Sequence, residues 1–244
     1  MKDFFNKKTL LVLGSVILTY GILFGLTTSQ TIKPYYTGII ILTLINIILA
    51  VSLNLIVGFT GQLCLGHAGF MAIGAYVSAM LTKEANFPFF IALLIGAIIA
   101  SIFAALIGYP TLRLKGDYFA ITTLAFCGII RVIIMNIEAV GGATGLKSIP
   151  KKTDFTIAFI FAALTVLIIY NILHSSQGRA MITVRENEIA AEAMGVNTFK
   201  YKMMAFIIGA FFAGLAGALY AHYMGYIQPS NFNFVKSIDY LTYV

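Results

Sequence analysis

The chain has 244 residues, of which 60% are hydrophobic and only 10% charged, and its mean hydropathy is +0.94. Those values exclude an ordinary soluble domain and point to an integral membrane protein. The formal net charge is +7, but the basic residues form short clusters between apolar runs. No continuous basic stripe of the kind that binds nucleic acid can be drawn, so the charge is better read as setting topology.

A helix needs about 20 mainly apolar residues to cross roughly 30 Å of hydrocarbon. Residues 10–28 follow a basic N-terminus and imitate a secretory signal. Their apolar run is long for one and lacks a small-x-small cleavage site, so a retained first span is expected. A second span is expected at 37–57. A weaker third lies at 63–81, "LCLGHAGFMAIGAYVSAML", which is crowded with Gly, Ala and Ser and contains His67. Residues 88–109 form a fourth span, and residues 118–135, interrupted by Arg131, a fifth. Residues 155–173 and 203–224 complete the series. The expected fold is an all-α polytopic transmembrane bundle of about seven spans, one domain over 1–244, with a polar loop at about 174–202.

Placing the N-terminus in the cytoplasm puts Lys2, Lys7, Lys8, Arg113, Lys115, Arg179, Arg185, Lys200 and Lys202 inside. Lys33, Lys83, Lys147, Lys151, Lys152 and Lys236 then fall outside. This bias agrees with seven crossings and a cytoplasmic polar loop.

Small residues recur four apart at Ala68 and Ala72, Ala75 and Ala79, Ala213 and Gly217, and Gly214 and Ala218. In lipid, close backbone approach drives helix association, so these faces either pack within one subunit or line a path or subunit seam. Cys64 and Cys127 each sit in an apolar run and read as small buried packers. Asp117 is placed to cap the fifth span.

No GxxxxGK[ST], HExxH or GxSxG motif occurs, and His67, His174 and His222 are scattered over separate helices or helix ends. The chain reads as a non-enzyme without a metal set. Polar groups within spans are costly. Asn46 and Asn54 lie eight apart and are followed by Gln62 and His67, a seam that either hydrogen-bonds neighbouring helices or lines a path for a polar solute. Asn54, Gln62, Gly66, His67 and Arg131 are the path candidates. Arg131 is otherwise an anchor that snorkels or pairs with Glu138. The loop "EAVGGATGLKSIP" offers Gly141, Gly142 and Gly145 as an external contact surface or a plain connector.

Residues 185–194, "RENEIAAEAM", predict a short helix stopped by Gly195. Arg185, Glu188 and Glu192 share one face, with Arg185 placed to pair with Glu188; Ile189, Ala190, Ala193 and Met194 share another. So short a helix is marginal alone in water. Its Glu residues disfavour an anionic lipid surface, which leaves a protein partner.

"NLIVGFTGQLCLGHAGFMAIGAYVSAML", "RLKGDYFAITTLAFCGIIRVI", "GGATGLKSIP" and the block from "GRAMITVRENEIAAEAMG" to "GYIQPSNF" together resemble the permease subunit of bacterial branched-chain amino acid ABC importers, the LivM type. The resemblance covers residues from about 37 to the end in the family's order; the first span resembles only in kind. It implies import of leucine, isoleucine and valine across the cytoplasmic membrane. It also implies a second permease subunit of the LivH type, two cytoplasmic ATPase subunits and an extracytoplasmic binding protein. ATP would be used by the partners, with no cofactor on this chain. The segment holding Arg185, Glu186, Glu188, Ala190, Ala191 and Gly195 would be the coupling helix that sits in a cleft of the ATPase. Sister permeases for urea or short-chain amides carry similar blocks. The family continues past "SIDYLTYV" through further spans, so a fragment or a truncated permease is expected, and a non-conducting scaffold or an ATP-independent channel or carrier are readings of other classes.

Overall fold

The structure, a computed structural model, describes residues 19–21, 25, 33–113 and 117–244. The helices in order are α1 (Pro34–Thr60), α2 (His67–Lys83), α3 (Phe89–Thr111), α4 (Asp117–Asn136), α5 (Phe155–His174), α6 (Ser176–Glu186), α7 (Glu188–Ala193), α8 (Thr198–Met224) and α9 (Phe234–Leu241). Among the described residues, five helices are long and apolar enough to cross a membrane: α1, α3, α4, α5 and α8. The chain is a multi-pass membrane protein. The helices therefore account for five spans rather than the seven expected: most of residues 10–28 lie outside the described residues, and α2 has only 17 residues. α4 begins at Asp117, the residue expected to cap it, whose side chain is not among those described.

Helix directions follow from paired contacts. Gly38 meets Tyr223 and Gly209 meets Ile56, so α1 and α8 run antiparallel. Phe70 stacks edge-on against Phe206 and Thr82 Oγ1 lies 2.9 Å from His222 Nε2, so α2 and α8 run parallel. α3 returns antiparallel, with Phe89 at His222 and Tyr109 at Phe199. One end of the bundle therefore carries Gly61, Arg113 and the α5–α8 connection. The other carries residues 84–88, 137–154 and 225–233.

The core is a three-helix crossing of α2, α3 and α8. A Cβ at Gly74 would lie 2.0 Å from Gly214 O, one at Gly96 2.8 Å from Gly74 O, and one at Gly217 2.0 Å from Met71 O. Ala68, Ala72, Ala75, Ala79, Ala213 and Ala218 are all buried with them. The small-residue faces thus pack helices within this chain. Cys64 and Cys127 are buried free thiols, as their apolar settings imply.

α2 is short because its segment is broken. Gly61, at φ +69°, ends α1, and residues 61–66 then run without helix. His67 Nε2 reaches Ser52 Oγ at 2.9 Å. Ser52 lies eight residues, about 12 Å, before the end of α1. The link therefore climbs back into the bundle, and α2 covers only the remaining depth. Irregular backbone at such depth must find protein partners. Leu65 N–H donates to Thr123 Oγ1 at 3.1 Å, and Ala68 N–H, an orphan donor of the first turn of α2, donates to Ser237 Oγ at 2.9 Å. Ser237 belongs to α9, which dips inward from the opposite end after Phe232 packs against Tyr76 and Tyr220.

Candidate functional site

The polar connection between α5 and α8 is an elbow. α6 is capped by Ser175, whose side chain accepts from Gly178 N–H at 3.3 Å, and it buries Gly178, Met181 and Val184 on one face. The single helix expected over 185–194 is interrupted at Asn187. That residue is extended (φ −159°, ψ 105°), and its Oδ1 accepts from Ala190 N–H at 3.0 Å. An Asn side chain competes with helix continuation in this way and restarts the chain as a new helix. The expected stop at Gly195 is present, at φ +82°. Gly195 N–H bonds Glu192 O at 2.9 Å and Val196 N–H bonds Ala191 O at 3.0 Å, the paired pattern of a left-handed helix stop.

Arg185, Glu188 and Glu192 stay exposed but are each bonded to neighbouring elements. Arg185 does not pair with Glu188, because the break at Asn187 takes them off a common helix face. Arg185 instead bonds Glu186 Oε1 (Nη2, 2.6 Å) and Gly58 O (Nη1, 2.7 Å). Glu188 pairs with Lys202 Nζ at 2.6 Å, and Glu192 accepts from Thr198 Oγ1 at 2.7 Å, so α7 is tied to the start of α8. Ala191 is fully buried. Outward remain Ala190, Gly195 and two large apolar side chains, Ile189 and Met194, which are 82% and 83% exposed.

A cavity of about 810 Å³ opens beside this elbow. Thr60, Gly61, Gln62 and Leu63 line one wall, Arg185 to Ile189 another, and Arg113, Phe199 and Lys202 close it. Gln62 is 6% exposed; its amide donates to Thr60 Oγ1 at 3.0 Å, while Oε1 has no partner among the described residues. Deeper lie Gly66 and His67. A Cβ at 66 would meet Thr123 O at 2.3 Å, so only glycine lets the link pass α4. His67 is fully buried, with Nδ1 unpartnered among the described residues. Ser52, which donates to Leu49 O at 3.0 Å, holds its Nε2.

The expected seam is thus only partly assembled. Gln62 and His67 share the link, but His67 pairs with Ser52, whereas Asn54 is half-buried and lies about 200° around α1 from Ser52. Arg131 is half-buried on α4, and its Nε lacks a partner among the described residues. Among the described residues it makes no ion pair with Glu138.

Residues 35–244 match the family described as branched-chain amino acid transport system / permease component. The chain belongs to this family. LivM of Escherichia coli, a high-affinity branched-chain amino acid transport system permease protein, is 36% identical over 238 residues, covering 83% of this chain and 56% of that protein. LivM of Salmonella typhimurium is 34% identical over the same shares. The nucleoside ABC transporter permease protein NupC of Lactococcus lactis is 26% identical over 178 residues, 63% of this chain and 56% of that protein. The chain spans about half the length of the curated relatives it matches. No solved structure matches it.

In this chain the glycine loop at the end away from the elbow is held by backbone bonds to the end of α8. Gly141, Gly142 and Gly145 all have positive φ, and a Cβ at Gly145 would lie 2.3 Å from Ile227 O. That close approach permits the paired bonds between Leu146 and Ile227 at 2.9 and 3.1 Å. Ile149 N–H to Gly225 O and Lys152 N–H to His222 O extend the seam to the end of α8. Tyr226 Oη donates to Thr144 O at 2.7 Å and accepts from Gln228. Sequence reasoning missed Thr82 with His222, Thr123 with Leu65 and Ser237 with Ala68. Each is a lone hydroxyl or ring in an apolar run, and only its partner reveals its role.

Proposed function

We propose that the chain is a permease subunit of an ABC importer that moves branched-chain amino acids across the cytoplasmic membrane, driven by separate ATPase subunits that dock on α7. The observation that carries this reading is the pair of exposed side chains on the elbow. Arg185, Glu188, Glu192 and Ala191 are engaged inward, and the surroundings of α7 are too charged to lie in lipid. Ile189 and Met194 nevertheless project outward. Exposed apolar groups on a marginal helix call for a protein groove. In this arrangement the elbow end faces the cytoplasm, the N-terminus lies on that side, and ATP is held by the partners alone.

The fixed loop over Gly141, Gly142 and Gly145 is then the surface offered to a solute-binding protein, and a second permease subunit of LivH type completes the pore. The 810 Å³ cavity beside the elbow is the cytoplasmic vestibule, and Gln62, Gly66 and His67 lie on the path above it. The substrate class rests on the relatives named LivM. The NupC likeness makes nucleosides the competing class, alongside urea and short-chain amides.

The test is reconstitution with the ATPases and binding protein, followed by ATP-dependent uptake of labelled leucine, isoleucine and valine against uridine, urea and acetamide. Ile189→Glu with Met194→Glu should abolish ATPase co-purification without lowering the yield of folded permease. Full co-purification by that double variant would sink the docking assignment. Uptake of uridine in preference to leucine would replace the substrate.

A further inference from the structure

The end of α1 is capped from another element. Gly61 turns its own N–H to Val57 O at 3.1 Å and sends the Gln62 N–H to Ile56 O at 3.2 Å. In a continuing helix that Gln62 donor would serve Gly58 O. Its diversion leaves the Gly58 carbonyl an orphan acceptor at the negative end of the helix dipole. Arg185 Nη1 fills the position at 2.7 Å. Glu186 Oε1 holds the opposite edge of the same guanidinium through Nε at 3.2 Å and Nη2 at 2.6 Å. The arginine stem also lies on Gly61, where an added Cβ would meet Arg185 Cγ at 3.1 Å. One side chain, two residues before the break at Asn187, therefore grips the hinge between α1 and the link over residues 61–66.

That link divides two environments. Below it, Gln62 and Leu63 line the cavity shared with Arg185 and Glu188; above it, Cys64 and His67 are fully buried. Among the described residues no backbone ladder holds the link. Its polar groups are met singly, by Thr123, by Thr60, by the Gly69 N–H on Gly66 O and by the turn onto Ile56, so a small number of bonds decides its position.

We propose that Arg185 is a positioning residue that couples the elbow to an inner gate made of residues 61–66. Docked on Gly58, it keeps the link closed over Cys64 and His67. When α7 is displaced, Arg185 withdraws and the link opens into the cavity. The proposal rests on the importer reading only for the force that moves α7.

Cys64 reports the gate. In the reconstituted complex without nucleotide, its alkylation by a small maleimide is followed by peptide mass spectrometry, with Cys127, also buried, as internal reference. Arg185→Gln, which cannot present a charged fork, should raise the Cys64 rate at least tenfold and leave Cys127 unchanged. Arg185→Lys, which retains one charged donor for Gly58 O, should fall between the two. An unchanged Cys64 rate in Arg185→Gln overturns the proposal, as does an equal rise at Cys127, which would signify general loosening. These rates do not depend on solute crossing. Wild-type uptake indifferent to ATP would overturn the importer reading and leave the gate comparison standing.

Discussion

Replacing Gly74 by Ala tests whether the crossing of α2, α3 and α8 holds the bundle together. The new Cβ would lie 2.0 Å from Gly214 O and 2.4 Å from Gly214 Cα, against the 3.4 Å at which ordinary contact begins. The obstacle is backbone, so no rotamer change relieves it, and α2 must part from α8 by about 1.4 Å. α3 obstructs this relief, because a Cβ at Gly214 would itself be 2.6 Å from Ala100 Cβ and one at Gly96 2.8 Å from Gly74 O. Overpacking of this kind costs about 1–3 kcal/mol, and its worst cases more; the better helix propensity of Ala returns about 1 kcal/mol. Because the obstacle is backbone on two sides, the upper end of that overpacking range applies, and a net loss of about 2 kcal/mol, or roughly 30-fold in the folded-to-unfolded ratio, is expected. Gly128 on α4 is the control, since nothing lies within 4 Å of its Cβ position; Gly128→Ala should be neutral or stabilising by up to about 1 kcal/mol. Unfolding of the purified protein by SDS in mixed micelles, followed by circular dichroism, reads both. Equal midpoints for the two variants would refute the reasoning.

Ser52→Ala should cost about 1–3 kcal/mol in the same assay, because it orphans the buried His67 Nε2 donor. Adding His67→Leu should recover part of that loss, and strictly additive effects would show that the two side chains do not act as a pair. Gly195→Ala places a side chain at φ +82° with open space around it, so the cost is backbone strain alone, about 1–2 kcal/mol. It should appear as faster amide exchange at Val196, whose N–H bonds Ala191 O at 3.0 Å, with Gly195→Asn milder. Unchanged exchange in Gly195→Ala would count against the helix stop.

What the sequence discloses is what depends on composition and local spacing. The five apolar helices follow from hydropathy, the α2 and α8 contact faces from alanines and glycines four apart, and the stop at Gly195 from its position after an apolar residue. Non-local pairings were hidden. Nothing in "FTGQLCLGHAGF" says that residues 61–66 leave the helix, because the reasons lie in Thr123, Ser52 and Ser237 on other helices. The elbow misled for a related reason: Arg185 and Glu188 have helical spacing, but Asn187 between them can cap as well as continue a helix. Gly58 O is likewise not legible as an acceptor until Gln62 is seen to donate elsewhere.

The two tethers of the elbow, one on α7 and one on the last turn of α6, have different mechanical consequences. Through Glu188 with Lys202 and Glu192 with Thr198, α7 holds the start of α8. α8 has 27 residues, about 40 Å, and its far end is fastened by Lys152 N–H on His222 O and Ile149 N–H on Gly225 O. α8 is also locked to α2 and α3 at glycine contacts with no room to slide. A push on α8 therefore moves a three-helix block and the glycine loop fastened to its far end together. Through Arg185, on the last turn of α6 beside the break at Asn187, the elbow holds instead the end of α1 and an unladdered link. Relative motion between a block and a hinge is what opens and closes a path, and in this chain both attachments lie within a few residues of one elbow.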